Sequence, residues 1–176
     1  MAQSRPTMGG DKDAGETYHN YNVPLNMGGN EGYQAGSTFK TFTLAAALNE
    51  GVGLGRTYSA PGSMEFGGQT FTSCDGPFKT GPYAPKNASS SSAGTIDLLT
   101  ATRNSVNTFF VQLERDIGIC DSVRMAKAAG VVASVPGSNG QTDLQNGTTD
   151  IEEGWNMDLY PAFVLGIMEV SPLTMA

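Results

Sequence analysis

Apolar residues recur at helical spacing in one early segment, Ser37 to Asn49. Phe39, Phe42, Leu44, Ala45, Ala46 and Leu48 cover so much of its circumference that the pattern predicts a buried helix. Gly51 follows where a C-terminal cap belongs. A second helical region comes later. Thr95 or Asp97 can cap the run LLTATRN. A helix over Asn107 to about Ile117 stops at Gly118. A further helix opens with Asp121 as N-cap and stops at Gly130.

The rest of the pattern is irregular. Met1 to Gly32 reads as loop, with Thr17 to Tyr21 alternating like a strand edge. Gly53 to Gly94 is rich in Gly, Pro and Ser and offers short strand candidates such as Gln69-Thr70-Phe71-Thr72. ASSSSAG, Ala88 to Gly94, reads as a mobile loop, and Val131 to Gly154 as loop again. Near the end, Ser171 is a good N-cap and Pro172 suits a first helical position. A helix of one turn does not offset its nucleation cost, so the chain reads as cut off at Ala176.

Composition narrows the class. The 176 residues suffice for one domain of ordinary size. They are 39% hydrophobic and 15% charged, with 23 glycines and nine prolines, as in a globular protein with many turns. The net charge of −7 and the lack of a basic patch argue against nucleic acid as a partner. No apolar run approaches the roughly 20 residues of a membrane helix, and MAQSRPTMGGDKDAGE has no signal-peptide core. Two cysteines and one histidine, His19, make a poor metal site, and nothing in the pattern calls for a cofactor. Cys74 and Cys120 fit a disulfide in an oxidising compartment and two buried thiols otherwise, with equal weight.

The stretch STFK holds the candidate chemistry. Residues three apart on a helix share a face, so Ser37 and Lys40 present hydroxyl and amine side by side. An alcohol is a poor nucleophile at its free pKa. Lysine takes its proton only when neutral, which needs desolvation or nearby positive charge. Phe39, Phe42 and Leu44 can supply desolvation, and the helix N-terminus favours an oxyanion over an ammonium. By spacing alone a plain N-cap and a solvated first-turn lysine are the better reading, since S-x-x-K is common by chance.

The wider context changes the weighting. GYQAGSTFKTFTLAAALNEG resembles the first active-site motif of penicillin-binding proteins, the serine D,D-transpeptidases. TATRNSVNTFFVQLERDIG offers Ser105-Val106-Asn107 where that family places its S-x-N motif. NYNV, AQSRP and YPAFVLGIMEVSPLTMA agree as well, so the resemblance spans essentially the whole chain. It is nearest to the transpeptidase domain of bifunctional, high-molecular-weight enzymes from actinobacterial-like sources.

The resemblance implies an α/β (α+β) fold of the serine transpeptidase and β-lactamase type. It implies that Ser37 is the acylated nucleophile, Lys40 its base, and Ser105 a proton relay to the leaving amine. Asn107 would hold the substrate peptide amide or a β-lactam side chain, and the Ser37 N–H would be one arm of the oxyanion hole. Peptidoglycan stem peptides and β-lactam antibiotics are the implied partners, at the extracytoplasmic face of the cell membrane. Any membrane attachment would come through an anchor outside this chain. That setting favours the Cys74–Cys120 disulfide.

The family's third motif, K-T-G followed by Ser or Thr, belongs on a sheet strand after S-x-N. The KTG at Lys79-Thr80-Gly81 precedes Ser105, is flanked by Pro77 and Pro82, and lacks the following hydroxyl and N–H. It therefore reads as a chance match. By the same resemblance the first strand and the later ones of a five-stranded sheet are missing. Residues 1–176 thus read as a partial transpeptidase domain, mostly its helical portion. Such a chain needs the rest of the domain and should react with penicillin slowly or not at all. A non-catalytic relic or interaction module, inert to β-lactams, is the alternative. A β-lactamase or carboxypeptidase of the same class is weaker, for want of a hydrolytic base.

Overall fold

The structure is a computed structural model that describes residues 7–24, 27–30, 32–89, 94–131 and 156–176. Among the described residues there are four α-helices, one early and three in succession later: α1 (Lys40–Asn49), α2 (Leu98–Arg103), α3 (Asn107–Ile117) and α4 (Ile119–Ala128). The strands form antiparallel pairs. β1 (Tyr33–Gln34) pairs with β6 (Glu169–Val170), β2 (Thr57–Ala60) with β5 (Gly94–Asp97), and β3 (Thr70–Ser73) with β4 (Gly76–Lys79). Shorter 3-10 turns cover Gly36–Phe39, Asn156–Leu159 and Phe163–Leu165. The class is therefore mixed helix with small antiparallel sheets.

The core lies where α1 meets α3 and α4. Phe39 and Ala47 from the α1 side, Phe109 and Leu113 from α3, and Ile119 and Val123 from α4 are fully buried. Phe163 joins them, with its ring 5.2 Å from that of Phe39. Burial of such side chains, at about 1.5–3 kcal/mol each, is the main force holding the helices together. The helix from Ser37 to Asn49 is present, its first turn 3-10 and the rest α. It is not buried all round: Leu48 is 46% exposed.

Helix ends follow local rules. Gly51 (φ 83°) closes α1 in a Schellman motif, with Val52 N–H on the Ala47 carbonyl (2.9 Å) and Gly51 N–H on that of Leu48 (3.0 Å). Gly130 ends α4 the same way. Asp97, not Thr95, caps α2, accepting from Thr100 N–H at 2.7 Å. The expected cap at Asp121 is corrected: α4 starts at Ile119, because Gly118 (φ 93°) turns the chain directly from α3 into a new helix. Asp121 sits in that first turn, where a carboxylate still suits the dipole. Ser171 caps the single turn that follows it, accepting from Thr174 N–H at 3.2 Å.

Thr17 to Tyr21 is not a strand. Thr17 and Asn20 side chains accept from the N–H groups of His19 and Asn22 (3.1 and 3.0 Å), and these local bonds replace a ladder. Gln69 to Thr72 does contain a strand, shifted to Thr70–Ser73. The turn between β3 and β4 carries Cys74, whose sulfur lies 2.06 Å from that of Cys120 on α4, so a disulfide fastens this hairpin to the helices. Residues 90–93 of the serine-rich loop and 132–155 of the later loop lie outside the described residues. No helix among the described residues is long and apolar enough to cross a membrane.

Candidate active site

Ser37 lies in the 3-10 turn Gly36–Phe39, which runs without a break into α1 at Lys40. The segment before it is held by the far end of the chain. Ala35 N–H donates to the Met168 carbonyl (3.2 Å) and Gly36 N–H to that of Gly166 (3.1 Å). The backbones approach so closely that a Cβ on Gly166 would lie 2.0 Å from the Gly36 oxygen. Glycine is required there by space and by its positive φ of 70°.

The reading of Ser37 as a simple cap fails. No side-chain cap bond forms at this helix start. Instead the Ser37 hydroxyl and Lys40 Nζ are 2.9 Å apart. Nor is Lys40 a solvated lysine, since it is only 5% exposed.

The second arm comes from the end of α2. Ser105 N–H donates to the Thr102 carbonyl (3.2 Å) and Val106 N–H to that of Ala101 (3.0 Å), again a Schellman pattern. The residue at its turn needs a positive φ, usually from glycine. Here Ser105 adopts φ 52°, the one non-glycine residue to do so among the described residues. That conformation costs about 1–2 kcal/mol and turns both Ser105 oxygens toward Lys40.

Lys40 Nζ is thereby ringed by acceptors: Ser105 carbonyl at 2.7 Å, Ser105 Oγ at 2.8 Å, Asn107 Oδ1 at 2.5 Å and Ser37 Oγ at 2.9 Å. The Phe110 ring lies beneath, 5.8 Å from Nζ to its centre. An ammonium has three protons for these four oxygens. A neutral amine has two, plus a lone pair. The Ser105 carbonyl and Asn107 Oδ1 can only accept, so they take the two N–H bonds. The lone pair is then left for a hydroxyl, Ser37 or Ser105. Burial favours this form by lowering the Lys40 pKa to about 8. At pH 7 roughly a tenth of molecules then hold the neutral amine.

Ser37, Lys40 and Ser105 line a cleft of about 100 Å³ with Leu44 and Phe110 among its walls. The arrangement can move a proton from one hydroxyl to an amine and on to a second hydroxyl, as acyl transfer requires. Ser37 lies in the first turn of the helical run, where N–H groups lack an acceptor within the helix, so its N–H suits an oxyanion.

Lys79-Thr80-Gly81 is elsewhere. Lys79 ends β4, exposed, with Nζ 3.3 Å from the Gly68 carbonyl, and none of the three residues lines the cleft. Pro77 lies in a strand, opposite Thr72, but of a two-stranded hairpin whose free edges tolerate proline, and not of the central strand that the prolines argue against. Among the described residues no three His, Cys, Asp or Glu side chains group as metal ligands. Sequence reasoning missed Phe110, Gly166 and the Lys86 carbonyl, which accepts from Asn107 Nδ2 at 2.7 Å. Phe110 was findable, being three residues past Asn107 on one helix. The other two are reached only through tertiary contact.

Residues 6–176 match the family model described as the penicillin binding protein transpeptidase domain. The chain belongs to that family. Penicillin-binding protein 1A of Mycolicibacterium smegmatis is 33% identical over 108 residues, 60% of this chain and 12% of that protein. Penicillin-binding protein A from M. tuberculosis, solved as a ceftriaxone acyl-enzyme complex, superposes with a TM-score of 0.54 at 25% identity over 82% of this chain. PonA1 from the same organism shares the fold, with a TM-score of 0.51 at 24% identity over 81% of this chain. The chain spans 30% and 32% of the length of those solved chains.

Proposed function

We propose that this chain carries the acyl-serine half of a peptidoglycan D,D-transpeptidase site. Ser37 attacks the carbonyl of a D-Ala-D-Ala stem peptide or a β-lactam. Neutral Lys40 takes the hydroxyl proton, and Ser105 returns one to the leaving amine. Asn107 holds Lys40 through Oδ1 and, in this reading, also receives the substrate amide. The observation that carries this reading is the buried Lys40 amine, 2.9 Å from the Ser37 hydroxyl and within reach of Ser105 and Asn107. Its working place would be the outer face of the cell membrane, with the remainder of a transpeptidase domain supplying a carboxylate cradle and a second oxyanion donor. The domain boundaries 1–176 are part of the same proposal.

The test is mass spectrometry of the chain with benzylpenicillin over hours. A slow adduct of intact penicillin mass on Ser37 is expected, absent in Ser37→Ala. An adduct that survives Ser37→Ala overturns the assignment. A second reading, a non-catalytic member of the family, draws on Lys79-Thr80-Gly81 lying outside the cleft. The complete absence of an adduct selects it.

A further inference from the structure

Helix α3 starts without a cap of its own. Its N-cap position is Val106, which makes no side-chain bond to the first turn. The orphan N–H of Thr108 is instead satisfied from elsewhere in the chain: Asn87 Oδ1 accepts it at 3.0 Å and lies 3.2 Å from the Thr108 hydroxyl. Asn87 is tied on its other side as well. Its Nδ2 donates to the Pro61 carbonyl at 3.1 Å, and its backbone N–H to that of Gly62 at 2.8 Å. The Thr108 hydroxyl meets the same Pro61 carbonyl at 2.8 Å. Asn87 therefore bridges the start of α3 to the segment after β2.

One peptide bond before Asn87 is the Lys86 carbonyl, and it accepts from Asn107 Nδ2 at 2.7 Å. A carbonyl cannot donate. With the amide nitrogen drawn to Lys86, only the oxygen can face Lys40. We propose that Asn87 is the positioning residue of this site: by fixing the Lys86 carbonyl against the start of α3, it sets which end of the Asn107 amide meets Lys40.

The inference rests on the proposed roles of Lys40 and Asn107, and its test reads the amine directly. Ser37, Ser105, Asn107 and the Phe110 ring surround Nζ, and Lys40 forms no ion pair among the described residues. The Lys40 titration is followed by 13C NMR of its ε-carbon in the 176-residue chain, with Lys40→Ala for assignment. Asn107→Ala removes an acceptor from the ammonium and moves the midpoint down, by about 0.5 or more. Asn87→Ala is expected to move it the same way, because the freed amide no longer holds its oxygen on Nζ. A merely structural role would admit water and move the midpoint up, toward ordinary lysine. Asn87→Ser, too short to bridge Pro61 and Thr108, serves if the alanine variant does not fold. A midpoint that stays or rises overturns the proposal. Benzylpenicillin labelling of the same samples separates the two readings. A downward shift without any adduct leaves Asn87 in place and removes the transpeptidase reading; an adduct without the shift does the reverse.

Discussion

Lys40 in STFK and Lys79 in KTG both stand in stretches that a motif search would select, and the structure treats them oppositely. Lys40 is 5% exposed, touches four oxygens and has its pKa lowered to about 8 by burial. Lys79 is exposed and reaches one carbonyl at 3.3 Å. Neither it nor Thr80 or Gly81 lines the cleft that holds Ser37. A short motif acquires chemistry only where the fold removes water and supplies partners. Spacing explains why Ser37 and Lys40 are neighbours. It does not explain why Lys40 gives up its proton.

The largest expected effect breaks the comparison at its stronger end. Lys40→Ala should slow formation of the penicillin adduct by about 10³-fold, within the usual range for loss of a general base. Lys79→Ala should leave that rate unchanged. In the unaltered chain the rate should rise with pH through about 8, because the neutral amine is the active form. A rate that follows Lys79 instead, measured by mass spectrometry, would reverse the two assignments.

Gly166→Ala attacks the support behind Ser37 rather than the lysine. The new Cβ would meet the Gly36 oxygen at 2.0 Å and demand a positive φ, so about 3 kcal/mol or more of stability should be lost. Chemical denaturation measures the loss, and the adduct should form more slowly because the turn carrying Ser37 is displaced. A neutral result would mean that the Gly36 contact does not hold the nucleophile.

Glu114 sharpens the comparison from another side. It is as buried as Lys40, yet neither carboxyl oxygen has a hydrogen-bond partner of good geometry. Burial pushes its pKa well above the ordinary value, with the Val164 backbone N–H pulling the other way as the smaller effect. Folding therefore requires a proton on Glu114 that the unfolded chain releases near pH 4.3. Stability is fully present below that pH and is lost as pH rises toward the folded-state value. Glu114→Gln should raise the melting temperature at pH 7 by several degrees, and the gain should vanish in acid. An equal gain at pH 4 and pH 7 would remove titration as the cause.

The smallest effect separates stability from chemistry at Ser105. Ser105→Gly relieves a φ of 52° and should stabilise the fold by about 1 kcal/mol, while slowing adduct formation through loss of the hydroxyl. A loss of stability in thermal melts would show that the Ser105 side chain contributes more through Lys40 than its conformation costs.

Part of the fold is written in local sequence. The run of apolar residues after Ser37, the glycines at 51 and 130 and the cap at Asp97 all act within about five residues, the reach of a helical turn and its end motifs. Local rules also mislead: Gly118 restarts a helix earlier than Asp121 suggests. The likeness of SVN to a family motif pointed to Ser105 and Asn107, but no local rule places them on Lys40, 65 and 67 residues away. That meeting depends on how α1 stacks on α3 and on a serine held in a glycine conformation. The sequence alone determined the helices and the Ser37–Lys40 face. The tertiary structure decided the buried amine, the Gly36–Gly166 contact and the exclusion of Lys79 from the cleft. Those depend on how distant segments pack, and periodicity carries no record of the register between them.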